Sequence, residues 1–138
     1  MLNAADLRVG QEFSAVVVED LTRTQLVMYA GASGDYNPLH TDEVYATRVA
    51  GYRTVFAHGM LTMGMAGRML TDLVGVDALL AFGGRFRSQV WPGDTLTVTA
   101  TVTEADTEGG TAELDVVVRN ATGEPVFTGY ARTRCATS

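Results

Sequence analysis

The sequence contains two histidines, and one of them, His40, follows Asp35 by five residues. On a regular helix this separation would turn the two side chains away from each other. Asn37-Pro38 lies between them, and the residue before a proline is restricted to extended backbone, so residues 34–40 are expected to form a loop. A loop can fold back and bring a carboxylate and an imidazole onto one water. Such a pair can share the two proton transfers that hydration requires.

The same residues also have ordinary structural interpretations. An aspartate in a loop commonly forms a turn or a cap, and a lone histidine is commonly held by structural hydrogen bonds. The second histidine, His58, precedes Gly59 at the start of an apolar helix, where its ring could simply be hydrogen-bonded near the helix terminus. The Gly59 N–H is of more interest, because a donor at a helix start could hold a carbonyl oxygen that gains charge during a reaction.

The elements that must position these residues follow from the pattern of apolar residues. Thr22 and Gln25 form a capping-box pattern that predicts a first helix ending at Gly31 or Gly34. A short helix is predicted at 42–47, and a longer one from Gly59 to about Val74 that is apolar on nearly every face and therefore needs to be enclosed. Strands are predicted at 12–19, 79–90, 95–104, 111–120 and 125–134. Short turns between the last four imply antiparallel neighbours, so we expect an α+β domain in which a curved sheet wraps one helix.

Composition narrows the classes of function. The 138 residues suit a single domain, and the net charge of −6 argues against nucleic acid, where binding depends on neutralising phosphates. No apolar run approaches the roughly 20 residues of a membrane span, and the start lacks a signal-peptide pattern, so a cytoplasmic location is expected. Cys135 is the only cysteine, which excludes an intrachain disulfide and a thiolate metal cluster. Two separated histidines without a metal-binding spacing predict no metal site.

Three stretches carry a resemblance to a known family. YAGASGDYNPLH at 29–40 resembles the signature of MaoC-like dehydratases, the R-specific enoyl-CoA hydratases, and AHGML at 57–61 resembles the segment that opens their central helix. RFRSQVWPGDTL at 85–96 is similar to the strand and turn that follow. The resemblance covers most of the chain in order. It implies one hot dog domain over 1–138, in which a curved antiparallel sheet wraps a long central helix, and a dimer whose sheets continue across the subunits.

The resemblance also implies roles for individual residues. Asp35 and His40 would be the catalytic dyad, Asn37 would orient their loop, and the Gly59 N–H would polarise a thioester carbonyl. His58 is predicted to take part in substrate binding. One departure concerns Gly67, because some R-specific hydratases carry an active-site serine at that point of the helix. Further basic residues are candidates to meet the phosphates of coenzyme A or phosphopantetheine: Arg85 and Arg87, and with them Arg48 and Arg53.

The implied activity is the (R)-specific hydration of 2-enoyl thioesters, or the reverse dehydration of 3-hydroxyacyl thioesters, on coenzyme A or an acyl carrier protein and without a cofactor. The GDxNPxH and AHGMLTMG stretches are also similar to the B-type subunit of the mycobacterial (3R)-hydroxyacyl-carrier dehydratase, which acts with a partner chain. The resemblance to the family as a whole favours a homodimer. The similarity to the B-type subunit makes a heterodimer the alternative. Two other functions stay open: a non-catalytic hot dog subunit, and a thioesterase, for which the central helix offers only Asp72 as an acid.

Overall fold

The computed structural model describes residues 2–137. Its strands form one antiparallel sheet in the order β1-β3-β4-β5-β2. The strands are β1 (Glu12–Val18), β2 (Leu79–Phe86), β3 (Leu96–Asp106), β4 (Thr111–Arg119) and β5 (Pro125–Arg134), and the α-helices are α1 (Arg23–Ser33) and α2 (Gly59–Val74). The predicted α+β class is confirmed.

The sheet buries one face against α2. Along β3 the apolar side chains at alternate positions are fully buried, as the two-residue period of a strand requires when one face is covered: Leu96, Val98, Ala100 and Val102. From α2, Ala66, Leu70 and Val74 are each 0% exposed and fill the space that the sheet encloses. The hydrophobic core therefore lies between the central helix and the concave face of the sheet.

The central helix has the predicted bounds, but it is not enclosed on every side. Met60, Gly64, Arg68 and Asp72 are exposed. They recur every four residues, so they form one stripe along the helix. Since a single curved sheet covers only part of a helix, one stripe of α2 faces outward in the isolated chain.

Two predicted elements differ from the structure. The short helix predicted at 42–47 is present but shifted: residues 43–44 are α-helical and Tyr45–Val49 is π-helical, since the Ala50 N–H donates to the carbonyl of Tyr45, five residues earlier. The strand predicted at 79–90 ends at Phe86, because the chain then leaves the ladder. The Val90 carbonyl accepts a hydrogen bond of 2.8 Å from the Ala57 N–H, so the segment after β2 pairs with the segment that leads into α2. This departure from the sheet shapes the surroundings of Gly59.

None of the helices within residues 2–137 has the length and apolar character needed to cross a membrane.

Candidate active site

Asp35 lies just after the end of helix α1, which positions it at the site. Thr22 begins the helix with the predicted capping box, in which its hydroxyl accepts from the Gln25 N–H at 3.1 Å and the Gln25 side chain accepts from the Thr22 N–H at 2.9 Å. Gly34 ends the helix in the left-handed conformation, with φ of 73°, which glycine adopts without steric cost. The chain therefore turns sharply one residue before Asp35.

The loop after Asp35 folds back through two side-chain turns. The Asn37 N–H donates to Asp35 Oδ1 at 3.2 Å, and Asn37 Oδ1 in turn accepts from the Leu39 N–H at 3.0 Å. The second contact caps a short 3₁₀ turn, Pro38–His40, at whose end His40 lies. The predicted loop is thus present and ends in one helical turn, and Asn37 makes a contact that shapes it.

The ring of His40 has a defined orientation. Nδ1 lies 2.6 Å from the Phe56 main-chain oxygen, and since a carbonyl only accepts, Nδ1 must donate the proton. In the neutral ring Nε2 then carries the free lone pair. Burial lowers the pKa of His40 from 6.5, an effect that His58 reinforces and that the Phe56 carbonyl and Asp35 oppose. The neutral form, which can accept a proton from water, is therefore favoured.

His58 lies beneath the loop and contacts both members of the predicted dyad. Its Nε2 donates to the Asp35 main-chain oxygen at 3.0 Å, and its ring stacks on that of His40 with centroids 3.8 Å apart. The residue is 2% exposed, and Nδ1 has no hydrogen-bond partner within residues 2–137. Leaving a buried polar atom unpartnered costs about 1–3 kcal/mol.

The fold brings these three side chains together. One carboxylate oxygen of Asp35 and one ring nitrogen each of His40 and His58 all lie within 4.8 Å of one another. Asp35 is exposed, whereas both histidines are buried. The arrangement can hold a water between an acceptor oxygen and a basic nitrogen. Its donor types could also ligate a divalent metal, although one nitrogen of each ring is already committed to a main-chain carbonyl.

A cavity of about 310 Å³ lies at the start of α2, and Asp35, His40 and His58 are not among its lining residues. Phe56, Gly59, Thr62, Phe86 and Arg87 are among the residues that line it. Because Gly59 is the first residue of α2, its N–H has no partner inside the helix and is available to an acceptor in the cavity. A Cβ atom at Gly59 would lie 3.1 Å from three atoms of the Phe86 ring, which accounts for glycine here.

The predicted arginines differ in their relation to this cavity. Arg87 lines it and donates from Nε to Thr128 Oγ1 at 2.7 Å. Arg85 and Arg48 are exposed and are not among the lining residues. Arg53 stacks over the ring of Trp91 at 4.2 Å. Of the four, Arg87 is the one that the fold brings to the cavity.

The glycine at position 67 is explained by packing against a neighbouring ring. A Cβ atom at this position would lie 3.3 Å from Cε1 of Phe82, a ring that also packs against Phe127. A serine side chain would therefore crowd Phe82.

The residues that line the cavity include several that were not predicted, among them Phe56, Thr62 and Phe86. Phe56 acts through its carbonyl, and any residue type offers a carbonyl, so the sequence carries no signal for that contact. Thr62 is 3% exposed and was detectable as a polar residue one turn after Gly59 in a run that is otherwise apolar. Phe86 lies far from Gly59 in sequence and meets it only through the sheet.

A second, larger groove of about 860 Å³ runs between β1 and α2. Met65, Met69 and Phe13 contribute to its wall, whereas Gly59, which lines the first cavity, does not. Its position along the helix separates it from the cluster of titratable residues.

Comparison with known proteins indicates the family of the chain. Residues 4–124 match the family described as MaoC like domain. An "(R)-specific enoyl-CoA hydratase" of Rhodospirillum rubrum is 37% identical over 100 residues, which are 71% of this chain and 67% of that protein. A "3-hydroxyacyl-thioester dehydratase Y" of Mycobacterium tuberculosis is 37% identical over 86 residues, 60% of this chain but 30% of that protein. The match therefore spans less than a third of that dehydratase.

Among solved structures, the unliganded "R-Hydratase PhaJ1" of Pseudomonas aeruginosa superposes with a TM-score of 0.83 at 27% identity. The superposition covers 99% of this chain and 87% of the hydratase. The sheet wrapped around α2 is therefore the hot dog fold, and the named homologues are hydro-lyases. The chain belongs to the MaoC-like dehydratase family.

Proposed function

We propose that the protein catalyses the (R)-specific addition of water to 2-enoyl thioesters and the reverse dehydration of 3-hydroxyacyl thioesters. The observation that carries this proposal is the convergence of the Asp35 carboxylate and a ring nitrogen of His40 within 4.8 Å, next to the start of α2. The names of the relatives supply the substrate class and the stereochemistry. Coenzyme A and acyl carrier protein are both candidate carriers.

The chemistry follows from the donors and acceptors at the site. The thioester carbonyl accepts from the Gly59 N–H, which polarises the conjugated double bond and stabilises negative charge on oxygen. A water held by Asp35 and His40 adds its oxygen to C3. The proton that it loses is carried by the dyad to C2, so one water supplies both the hydroxyl and the hydrogen. We assign proton removal from the water to His40 Nε2 and the other transfer to Asp35, which receives that proton from His40 and delivers it to C2, so that both side chains return to their starting forms.

The dyad and its neighbours need no cofactor for this reaction, since both proton transfers use side chains of the chain itself. Arg87 supports the carrier assignment, because its guanidinium lies at the cavity that Gly59 also lines. A guanidinium there suits a phosphate of coenzyme A or phosphopantetheine. We place Arg85 further along the same path and assign no carrier contact to Arg48 or Arg53.

We propose a homodimer that joins at β2. This strand is an edge of the sheet, and an unpaired edge normally needs cover. Leu80 and Phe86 on it are 44% and 51% exposed. A partner at this edge would also lie near Gly59, which Phe86 contacts. A heterodimer with a related hot dog subunit is the alternative assembly, and we propose a cytoplasmic location for either.

The direct test is a spectrophotometric assay of the purified protein with crotonyl-CoA. Hydration removes the absorbance of the conjugated enoyl thioester and leaves the thioester bond intact, which a thiol reagent verifies. Release of free coenzyme A would instead indicate a thioesterase. Binding of crotonyl-CoA without loss of absorbance would indicate a non-catalytic module, or a subunit that requires its partner.

A further inference from the structure

His58 touches both members of the dyad, and it does so with different parts of its ring. The Nε2–H donates to the Asp35 main-chain oxygen at 3.0 Å, while the face of the ring stacks on His40 at 3.8 Å with 26° between the planes. Asp35 and His40 lie on a loop whose other contacts include local turns and two hydrogen bonds with Phe56: the His40 ring donates to the Phe56 carbonyl, and the Phe56 N–H donates to the Leu39 carbonyl. His58 is thus the side chain that ties the two ends of this loop to the start of α2.

The position of the His58 ring is itself fixed. Tyr29 of α1 packs edge-on against it with centroids 4.8 Å apart, and the residue is the N-cap of α2. A ring held between two helices and 2% exposed has little freedom to move. Its two contacts therefore transmit a fixed geometry to the loop.

A purely structural role would favour a different residue at this position. Nδ1 of His58 is buried without a hydrogen-bond partner within the described residues, which costs free energy of folding. Phenylalanine has a similar shape and could stack on His40 without that cost. What phenylalanine lacks is the donor to Asp35, so the polar ring is explained by that hydrogen bond.

We infer that His58 is a positioning residue that holds the Asp35 carboxylate and the His40 imidazole in the relative arrangement needed to share one water. The inference rests on the proposed hydratase function. It differs from the predicted substrate-binding role, because the contacts described for the His58 ring are with Asp35, His40 and Tyr29.

Two variants separate the two contacts. His58→Phe keeps a flat ring against His40 and removes the donor, whereas His58→Gln places an amide N–H near the original Nε2 and removes the ring. For crotonyl-CoA hydration we expect His58→Phe to lower kcat by roughly 10- to 100-fold, as is typical when an outer hydrogen bond to an active residue is lost. The KM should change by less than about threefold, and the melting temperature should not fall.

The pH profile gives a second readout that a merely structural residue would not move. His58 contributes to lowering the pKa of His40, together with burial and against the opposing effects of Phe56 and Asp35. Both variants should therefore shift the acidic limb of kcat/KM to higher pH.

Several results would overturn the inference. A kcat of His58→Phe within twofold of wild type would remove the positioning role. A higher KM with unchanged kcat would assign His58 to substrate binding, and a loss of activity in proportion to the folded fraction would make it structural. If His58→Phe does not fold, His58→Gln is compared with His58→Asn, whose shorter amide cannot reach the Asp35 oxygen. Equal kcat in these two would reject the inference.

Asp35→Asn and His40→Gln are assayed in parallel. They show whether a negative result concerns only the role of His58 or the proposed hydratase function as a whole. If either dyad variant retains turnover, or the wild type has none, the proposed function fails and takes the inference with it. If both dyad variants lose turnover while His58→Phe keeps it, only the inference about His58 fails.

Discussion

At the scale of single residues, Asp35 and His40 are positioned by main-chain groups as much as by side chains. His40 is oriented by the Phe56 carbonyl, and Asp35 is tied through its own carbonyl to His58. The spacing of Asp35 and His40, with Asn37-Pro38 between them, predicted that the two could converge, and they lie together in the structure. The carbonyl of Phe56 could not be predicted, because a main-chain acceptor leaves no trace in the choice of residue.

The ionisation of His40 predicts how activity depends on pH. Burial lowers its pKa from 6.5, so the neutral ring that accepts a proton persists to lower pH than for an exposed histidine. We expect kcat/KM to fall as pH decreases through a midpoint below 6.5, measured in buffers of constant ionic strength. A midpoint at or above 6.5 would contradict the burial argument.

The lowered pKa of His40 also makes the free energy of unfolding depend on pH. Between the lowered pKa in the folded state and 6.5 in the unfolded chain, the unfolded state binds more protons, so the free energy of unfolding should decrease as pH falls through this window. His40→Gln should lack this part of the pH dependence, which urea titrations at several pH values would show.

A substitution of Arg87 tests whether this residue contacts a phosphate of the carrier. Arg87→Gln should raise the KM for crotonyl-CoA roughly two- to fivefold at low salt with little change in kcat, since one exposed ion pair contributes less than about 1 kcal/mol. The matched control is Arg68→Gln, on the exposed stripe of α2 beside the other groove. An unchanged KM for Arg87→Gln, or an equal rise for both variants, would argue against a phosphate contact at Arg87.

At the scale of elements, the first residue of α2, Gly59, lines the cavity, so an unpaired helix N–H lies at its wall. The capping box at Thr22 and the bounds of α2 were predicted, and the end of α1 was narrowed to Gly31 or Gly34, because each depends on local sequence. The end of β2 was not, since it depends on pairing between Val90 and Ala57, which are distant in sequence. The exposed stripe of α2 likewise reflects how far one sheet can wrap, which a helical pattern does not encode.

The role of the Gly59 N–H can be tested with a proline variant, which lacks this hydrogen-bond donor. Proline is favoured at the first position of a helix, and His58 already has extended backbone with φ of −58° and ψ of 133°, so the backbone accommodates Gly59→Pro, whose Cβ atom would press on the Phe86 ring as that of alanine does. It should lower kcat by about 100- to 1,000-fold, as loss of one oxyanion donor does.

Gly59→Ala is the matched control, because it adds the same Cβ atom next to Phe86 and keeps the N–H. It should retain far more activity than Gly59→Pro. If the two variants lose turnover equally, crowding of Phe86 rather than loss of the donor would explain the effect, and the N–H would have no catalytic role.

At the scale of the whole molecule, the fold class and the wrapped sheet were predicted from the strand and helix pattern together with the family resemblance. Assembly follows from features that only the structure reveals, namely which strand lies at the edge and which apolar side chains it exposes. Leu80 and Phe86 on β2 are the relevant ones.

We expect light scattering to give twice the mass of one chain for the wild type. Leu80→Glu should shift the protein towards monomer and reduce turnover, because a charge would be buried at the joined edge. Val9→Glu is the control, at a position that is 71% exposed outside the strands. A monomeric wild type with full turnover would exclude the proposed dimer.

The central claim is that Asp35 and His40 act as one unit on one water, and a double-mutant cycle on crotonyl-CoA hydration tests it most directly. Asp35→Asn and His40→Gln keep approximate shape while removing proton exchange, and Asp77→Asn serves as a control at an exposed aspartate. Each dyad variant should lower kcat by roughly 100- to 10,000-fold, with Asp77→Asn unaffected and melting temperatures unchanged. The double variant should lose little more than either single variant. Multiplicative losses in the double variant, or near-wild-type kcat in either single one, would contradict the shared mechanism.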